Sequence, residues 1–406
     1  MKVIEGGVVA AKGFYASGVH CGIRKNKTKK DLALIYSEEK ASTASVYTTN
    51  KVKGAPLTVT KENISDGYAQ AVICNSGNAN TCNADGIDVA KNTCKALAGA
   101  LKINESDVVV ASTGVIGQPL DITPIVNAIP TLVGTLSNSE KASKDAAEGI
   151  MTTDTRLKEI AVSFEIGGVE CKIGGIAKGS GMIHPNMATM LVFITTDAKI
   201  SPAMLQKALS SDIKNTFNMV SVDGDTSTND MVTVLANGQA GNKEIDSEGE
   251  DFNAFMKALN TITVNLCQKI AGDGEGATKL IECKVSGAQD EENAKIIAKS
   301  VICSSLVKAA MFGSDANWGR ILCAIGYSGA TVDVNKVKVS FVSEFGEIVV
   351  CENGAGVDFS EELAKNILLR SEIEIKIELG DGNGQATAWG CDLTYDYVKI
   401  NGDYRT

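Results

Sequence analysis

Residues 177–190 of the chain read Ala-Lys-Gly-Ser-Gly-Met-Ile-His-Pro-Asn-Met-Ala-Thr-Met, and a largely apolar run extends from Ala188 to Ile194. A glycine-rich loop therefore leads directly into a segment typical of a buried central strand. Thr189 lies at the junction, where the strand end can present its hydroxyl. Because a β-branched side chain has few χ1 rotamers, that hydroxyl needs little further ordering. The junction predicts a nucleophile at the start of a strand in a sheet.

A threonine hydroxyl is a weak nucleophile and needs a base. The sequence contains two histidines and no evident Ser-His-Asp arrangement, and we expect His184 to shape the loop rather than to transfer protons. Cleavage of the bond before Thr189 would free an α-amine with a reference pKa of about 7.7–8.0, which suits a base near neutral pH. The small Ala188 lets the hydroxyl approach the preceding carbonyl for an N-to-O acyl shift. The spacing alone is weak evidence, since a threonine at a strand start is usually structural.

Two other patterns in the chain suggest ligands but lack decisive residues. Residues 174–180 resemble a phosphate-binding loop without the four-residue gap before Gly-Lys-Ser. Residues 222–230 are rich in oxygen ligands but lack the glycine and final glutamate of a calcium-binding loop. Turns closed by Asp and Asn side chains explain the second pattern equally well, so we predict no metal site.

Strand-like and helix-like segments alternate along the chain and predict an α+β protein whose sheets are covered by helices. Ser201 and Pro202 have the residue types that begin a helix. The predicted elements are strands at 71–75, 107–113 and 188–194, a hairpin at 161–176 around Gly167-Gly168, helices at 139–151, 250–271 and 291–311, and a small α+β unit after about residue 330 with strands at 337–350 and 372–379 and a helix at 360–370.

The composition excludes several classes of protein. With 406 residues and a net charge of -10, the chain lacks the basic surface that nucleic acid requires. Its eleven cysteines include no Cys-x-x-Cys pair, which argues against zinc and favours free thiols in a reducing cytoplasm. We expect no signal peptide at residues 1–11 and no membrane span, because no apolar run reaches about 18 residues.

Many short motifs, in the right order, resemble the ornithine acetyltransferase family, the bifunctional acetyltransferases of arginine biosynthesis. The loop at 177–190 matches the self-cleavage motif of that family, and the other matches run nearly from end to end. They are Ala10–Phe14, Thr48–Asn50, Asn75–Asn80, Ser112–Gly117, Met151–Thr155, Ser314–Arg320 and Ile400–Thr406.

The resemblance implies a role for each matching site residue. Thr189 is the nucleophile and the first residue of a β chain, cleaved from Ala188, and Thr113 with Gly114 forms the oxyanion hole. The implied substrate contacts are Thr153 (with Thr152 and Thr155 as rivals), Lys178, Glu275 (with Asp273 as a rival), Asn401 and Thr406. Without the family, these positions would be interpreted as a core threonine, a strand end, a solvated lysine and helix caps.

The chemistry expected of the substrate contacts follows from their charges. Lys178 can hold the α-carboxylate of acetylornithine or glutamate. Glu275 can pair with an ornithine ammonium or orient the amine of Thr189. The carboxylate of Thr406 can meet a substrate ammonium.

The resemblance also implies the organisation of the whole protein. The expected fold is an N-terminal-nucleophile-like αββα sandwich with a smaller α+β C-terminal domain. The α chain is expected to span 1–188 and to contain the oxyanion-hole half of the core. The β chain is expected to complete the core with residues 189–285. Residues 286–406 are expected to form the small domain, which includes the substrate-contacting C-terminus. The α and β chains are expected to form a cytoplasmic heterotetramer without a cofactor.

The implied reaction transfers acetyl from N-acetylornithine to glutamate through an acetyl-threonine ester. Family members differ in whether they also accept acetyl-CoA, and the sequence leaves this open. One alternative is a related self-cleaving aminopeptidase, which would show no dependence on glutamate. The other is a small-molecule binding protein, which would stay one intact polypeptide without turnover.

Overall fold

The computed structural model of the chain describes residues 1–184 and 190–403, and these form two compact units. The first unit contains residues 1–179, 190–214 and 226–266. The second contains residues 180–184, 215–225 and 267–403. The chain therefore crosses from one unit to the other several times. The limits at 188/189 and 285/286 stay a prediction.

The described strands alternate with helices along the chain. The strands are β1 (Lys2–Ile4), β2 (Phe14–Val19), β3 (Leu32–Tyr47), β4 (Tyr68–Asn78), β5 (Val108–Val115), β6 (Lys158–Ile166), β7 (Val169–Lys178), β8 (Leu191–Thr196), β9 (Val220–Ser221), β10 (Met231–Ala236), β11 (Leu280–Ala288), β12 (Lys338–Ser343), β13 (Gly346–Glu352), β14 (Ala355–Gly356), β15 (Glu372–Glu378) and β16 (Gly384–Cys391). The α-helices are α1 (Ala55–Asn63), α2 (Gly86–Leu101), α3 (Thr123–Gly134), α4 (Glu140–Ile150), α5 (Pro202–Asp212), α6 (Glu250–Gly272), α7 (Glu291–Cys303), α8 (Ser305–Gly313), α9 (Trp318–Gly326), α10 (Glu361–Leu368) and α11 (Tyr395–Gly402).

The first unit is built on a nine-stranded mixed sheet. Its strand order is β1-β6-β7-β8-β10-β3-β4-β5, and β2 pairs with β3. β8 lies inside this sheet, parallel to β10 and antiparallel to β7. All six residues of β8 are buried, which explains why its sequence is a nearly unbroken apolar run. The central strand predicted after the glycine-rich loop is therefore confirmed from Leu191 onward.

The second unit contains a seven-stranded mixed sheet. Its strand order is β14-β13-β12-β15-β11-β16-β9. The helix α7 packs against β11 and β16, and α10 packs against β12 and β13. Along β15, only every second side chain is buried. This explains why charged residues and isoleucines alternate strictly in Glu372–Glu378. The predicted α+β class is confirmed by these two mixed sheets with their helices.

Most of the predicted elements are confirmed, and two are wrong in detail. Ser201 caps α5 through its hydroxyl, and Gly167 and Gly168, with φ of 55° and 81°, form the β6–β7 turn. The helix predicted at 291–311 breaks at Ser304, whose extended backbone separates α7 from α8. The strand predicted at 337–350 is instead a hairpin of β12 and β13.

Within the described part of the chain, no single helix is both long enough and apolar enough to cross a membrane. Only the pair α7 and α8, bent by 58° at its break, passes that test of length and composition.

Candidate functional site

In the first unit, the structure brings together Lys178 and Thr113, two of the predicted site residues. Lys178 is the last residue of β7 and is buried, with 8% of its surface exposed. Its ammonium Nζ lies 3.2 Å from the hydroxyl oxygen of Thr113, which is itself buried near the end of β5. Since an ammonium can only donate, the Thr113 oxygen accepts this bond and its O–H stays available to donate elsewhere.

Gly114 follows Thr113 at a position that only glycine fits. Its φ is 132°, a conformation that side-chain-bearing residues rarely adopt. A Cβ atom on Gly114 would lie 2.3 Å from the carbonyl carbon of Gly77 and 2.6 Å from the backbone nitrogen of Asn78. The end of β5 therefore runs close to the backbone of β4.

A buried ion pair that the sequence analysis missed holds the loop beside Lys178. Asp154 accepts bonds from the backbone N–H of Gly179 at 2.7 Å, from that of Thr152 at 2.9 Å and from Lys158 Nζ at 2.6 Å. Burial alone would raise the pKa of the Asp154 carboxyl, but the ammonium groups of Lys158 and Lys178 hold it at about 2. Thr153, the predicted substrate contact, lies half-buried in the turn beside Asp154.

In the second unit, the structure brings Glu275 together with Asn401. The Asn401 side-chain amide donates to Glu275 Oε2 at 2.7 Å and to the carbonyl of Tyr397 at 3.0 Å. The Glu275 backbone N–H donates to the carbonyl of Ser180 at 3.0 Å. A Cβ on Gly181 would lie 2.3 Å from the Glu275 carboxyl carbon, so a glycine is needed there. Glu275 is 7% exposed and its carboxylate is held at a fixed place in this unit.

Asp273, the alternative to Glu275 as a substrate contact, bonds to the glycine-rich loop through its backbone. Its backbone carbonyl accepts from the Ser180 hydroxyl at 2.7 Å, which links the glycine-rich loop to the end of α6. The side-chain amide of Asn401 donates to the carboxylate of Glu275.

His184 has a structural position in the second unit. Its Nδ1 lies 3.1 Å from the Ser221 hydroxyl, and burial lowers the pKa of its imidazole to about 4. The two residues before it, Met182 and Ile183, donate backbone N–H bonds to Asp223 at 2.6 and 2.9 Å. A neutral imidazole in this place fits the predicted role in shaping the loop. Asp223 belongs to the oxygen-rich segment 222–230. Its carboxylate accepts hydrogen bonds from backbone N–H groups.

The cleavage site Ala188–Thr189 and the C-terminal Thr406 lie outside the described residues. The nearest described neighbour of Thr189 is Met190, which is 1% exposed. Its carbonyl accepts from the Met231 backbone N–H at 2.9 Å, just ahead of the β8–β10 pairing.

The comparisons with known proteins identify the family of the chain. The ArgJ family profile matches residues 15–406 of the chain. The chain belongs to the ArgJ family. The "Arginine biosynthesis bifunctional protein ArgJ" of Caldanaerobacter subterraneus subsp. tengcongensis is 52% identical over 407 residues, with 100% of both chains covered.

Two solved structures match over about half of the chain. A crystal structure of the ArgJ protein from Bacillus halodurans is 49% identical with a TM-score of 0.51, and covers 53% of this chain and 99% of its own. An ornithine acetyltransferase from Mycobacterium tuberculosis, complexed with ornithine, is 33% identical with a TM-score of 0.42, and covers 46% of this chain and 99% of its own.

Proposed function

We propose that this ArgJ family chain is a self-cleaving acetyltransferase of arginine biosynthesis that moves acetyl from N2-acetyl-L-ornithine to L-glutamate. The observation that carries the proposal is the end-to-end identity of 52% with a relative named as an arginine biosynthesis protein. The pairing of Lys178 with Thr113 and of Glu275 with Asn401 supports it, because both pairs come from residues assigned by the resemblance.

Self-cleavage before Thr189 has independent support in the length of a solved relative. Residues 189–406 are 218 of the 406 residues, or about 54% of the chain. The polypeptide in the Bacillus halodurans structure matches over 99% of its own length yet covers 53% of this chain. A polypeptide of that length is what a break near residue 188 would produce.

The proposed transfer has two steps that share one base. The Thr189 α-amine takes the proton from the Thr189 hydroxyl, whose oxygen attacks the acetyl carbonyl carbon. Thr113 and Gly114 donate to the oxyanion, and Lys178 leaves the Thr113 O–H free for this task. The carbon–nitrogen bond then breaks, the ornithine amine receives the proton, and an acetyl-Thr189 ester remains. The glutamate amine attacks this ester in the same way and releases Thr189.

The remaining site residues are proposed to hold the substrate through charge. Lys178 offers an ammonium to an α-carboxylate, and Glu275 offers a carboxylate to an amine. Asn401 orients that carboxylate through its 2.7 Å bond. Thr153 and Thr406 are proposed as further substrate contacts. The reaction needs no cofactor, because the nucleophile and its base belong to one residue.

The compartment, the assembly and a second activity are further parts of the proposal. All eleven cysteines of the chain are free, which suits a reducing cytoplasm. We expect the α and β chains to remain together as a heterotetramer. The word bifunctional in the name of the relative favours acetyl-CoA as a second acetyl donor to glutamate. Formation of acetylglutamate from acetyl-CoA, without acetylornithine, would support this activity.

Thr189→Ala tests the proposed nucleophile. We expect the variant to remain one polypeptide and to show no acetyl transfer, because both reactions need the same hydroxyl. Denaturing intact-mass analysis and an acetylornithine–glutamate assay measure the two effects. Thr131→Ala, on the exposed side of α3, is the matched control and should cleave and react normally. Retained cleavage of Thr189→Ala at the same bond would contradict the self-processing mechanism.

A further inference from the structure

Asn229 belongs to the oxygen-rich segment 222–230, to which no function is assigned above. It lies in the first unit, two residues before β10, and it is buried, with 5% of its surface exposed. The side-chain amide nitrogen donates to the carbonyl of Ala79 at 2.6 Å and to that of Ser112 at 3.0 Å. An amide nitrogen carries two hydrogens, so both of its donors are used within the fold.

The oxygen of the same amide is bonded as well, which fixes the orientation of the group. Its Oδ1 accepts from the hydroxyl of Thr81 at 2.6 Å and from that of Thr228 at 2.5 Å. A reversed amide would turn this oxygen toward the two carbonyls, and neither partner could then donate. The place is also closely filled, because a Cβ on Gly54 would lie 2.5 Å from Nδ2 of Asn229. Asn229 is therefore held in one orientation.

The bond to Ser112 fixes the residue that precedes the predicted oxyanion hole. Ser112 lies in β5 directly before Thr113. Its carbonyl and the N–H of Thr113 belong to one planar peptide group, so a bond to the carbonyl also fixes the plane that leads into Thr113. Ser112 is held through its side chain too, because its hydroxyl donates to Oδ1 of Asn75 at 2.6 Å. The strand end therefore enters Thr113 in a defined direction.

The bond to Ala79 reaches the residue that follows the predicted oxyanion hole. The N–H of Ala79 donates to the carbonyl of Val115 at 2.9 Å, and Val115 comes directly after Gly114. Asn229 binds the carbonyl of the same Ala79. A single side-chain amide thus anchors the chain on both sides of the predicted oxyanion hole.

Asn242 provides a matched comparison within the same unit. It is 4% exposed, and its amide nitrogen also donates to two carbonyls, those of Lys199 at 3.2 Å and Lys243 at 2.7 Å. Its Oδ1 accepts from the N–H of Lys199 at 2.8 Å. These bonds join the loop after β8 to the loop after β10 and involve no residue of β4 or β5. Asn242 therefore has the same burial and the same kind of bonds without a connection to Thr113.

We infer that Asn229 is a positioning residue for the acetyl transfer: it holds the backbone on both sides of Thr113 and Gly114, so that their donors are in place for the oxyanion. This inference rests on the proposed function, which assigns the oxyanion to this pair. Donors that are fixed before the reaction stabilise the developing charge without a cost of reorganisation. Donors on a loose strand end would lose part of that stabilisation to their own ordering.

Asn229→Ala tests this role in the full chain, with Asn242→Ala as the control. Each substitution removes two hydrogen bonds to backbone carbonyls, so both variants should unfold at lower urea concentrations than the parent. Asn229→Ala alone should lower kcat, by about 30-fold, which is less than the loss of a whole oxyanion donor. KM for acetylornithine should stay within about threefold, because both steps of the transfer use the same donors and slow together. The kcat is expressed per molecule of cleaved protein, which denaturing intact mass counts.

Thr81 offers a second test that leaves Asn229 in place. Thr81→Val keeps the shape of the side chain but removes the hydroxyl that bonds to Oδ1, while Thr81→Ser keeps a hydroxyl. We expect kcat to be about threefold lower in Thr81→Val than in Thr81→Ser, a modest effect because Thr228 still holds the amide. This pair of variants decides the matter if Asn229→Ala does not fold.

A kcat of Asn229→Ala within about threefold of the parent would overturn the inference, as would an equal fall of kcat in Asn242→Ala. Equal kcat values in Thr81→Val and Thr81→Ser would overturn it as well. All of these results leave the proposed function standing, because the parent protein still cleaves and transfers acetyl. An uncut and inactive parent protein would instead overturn the proposed function, and the inference with it.

Discussion

At the scale of single residues, Asp154 and Lys158 connect the fold to the candidate site. Lys158 begins β6 and is 1% exposed, while Asp154 lies four residues earlier and fixes the N–H of Gly179. The motif at residues 151–155 indicates Thr153 but not Asp154, because a motif match cannot show which carboxylate accepts a bond from a distant backbone N–H. Gly179 is 25 residues away along the chain, and only the folded sheet brings the two together.

Asp154→Asn should destabilise the protein by about 3 kcal/mol, because it leaves the Lys158 ammonium buried without its counter-charge. Urea unfolding of the variant and its parent measures the difference. Asp154→Leu combined with Lys158→Met is the matched control, since replacing both charges removes the uncompensated ammonium and should cost less. A double variant less stable than Asp154→Asn would contradict this account.

The same pair predicts how stability depends on pH. The pKa of Asp154 is about 2 in the folded protein, below its ordinary value of 3.8. The carboxylate therefore contributes about 2 kcal/mol that is fully present above about pH 4 and is lost as the pH falls toward 2. Unfolding measured across this range should show a drop that Asp154→Asn lacks. An equal acid dependence in the variant would assign the loss to other carboxyls.

At the scale of elements, the sequence predicted most strands and helices but not two breaks, the turn between β12 and β13 and the end of α7. The β12–β13 turn uses only Glu344 and Phe345 between paired Ser343 and Gly346. A two-residue turn preserves the alternation of apolar and polar residues, so the hairpin has the pattern of one long strand. The break between α7 and α8 was missed for a related reason. Apolar periodicity continues through Ser304, where only a capping hydroxyl marks the new helix.

Ser304→Ala should reduce stability by about 1 kcal/mol, because the Ser304 hydroxyl accepts from the N–H of Val307 at the start of α8. Urea unfolding measures this change. The neighbouring exposed residue provides the control: Ser305→Ala should alter stability by less than about 0.5 kcal/mol. Equal effects of the two substitutions would show that the hydroxyl of Ser304 does not cap α8.

At the scale of the whole molecule, the sequence predicted the family and the α+β class but not the division into units. Segments 180–184 and 215–225 belong to the second unit although the flanking chain belongs to the first. Long-range bonds place them there: Asp223 binds the N–H groups of Met182 and Ile183, and β9 pairs with β16. Such pairings carry no local sequence signal, so the sequence alone could not show which segments belong to each compact unit.

The central claim is that Thr189 becomes a free N-terminal nucleophile that carries the acetyl group. The most direct measurement is the denaturing intact mass of the purified protein after incubation with N-acetylornithine and without glutamate. We predict two polypeptides, the longer one beginning at Thr189 and heavier by about 42 Da, the mass of one acetyl ester, which disappears when glutamate is added. A single uncut polypeptide, or a fragment beginning at Thr189 that never gains this mass while acetyl transfer proceeds, would contradict the account.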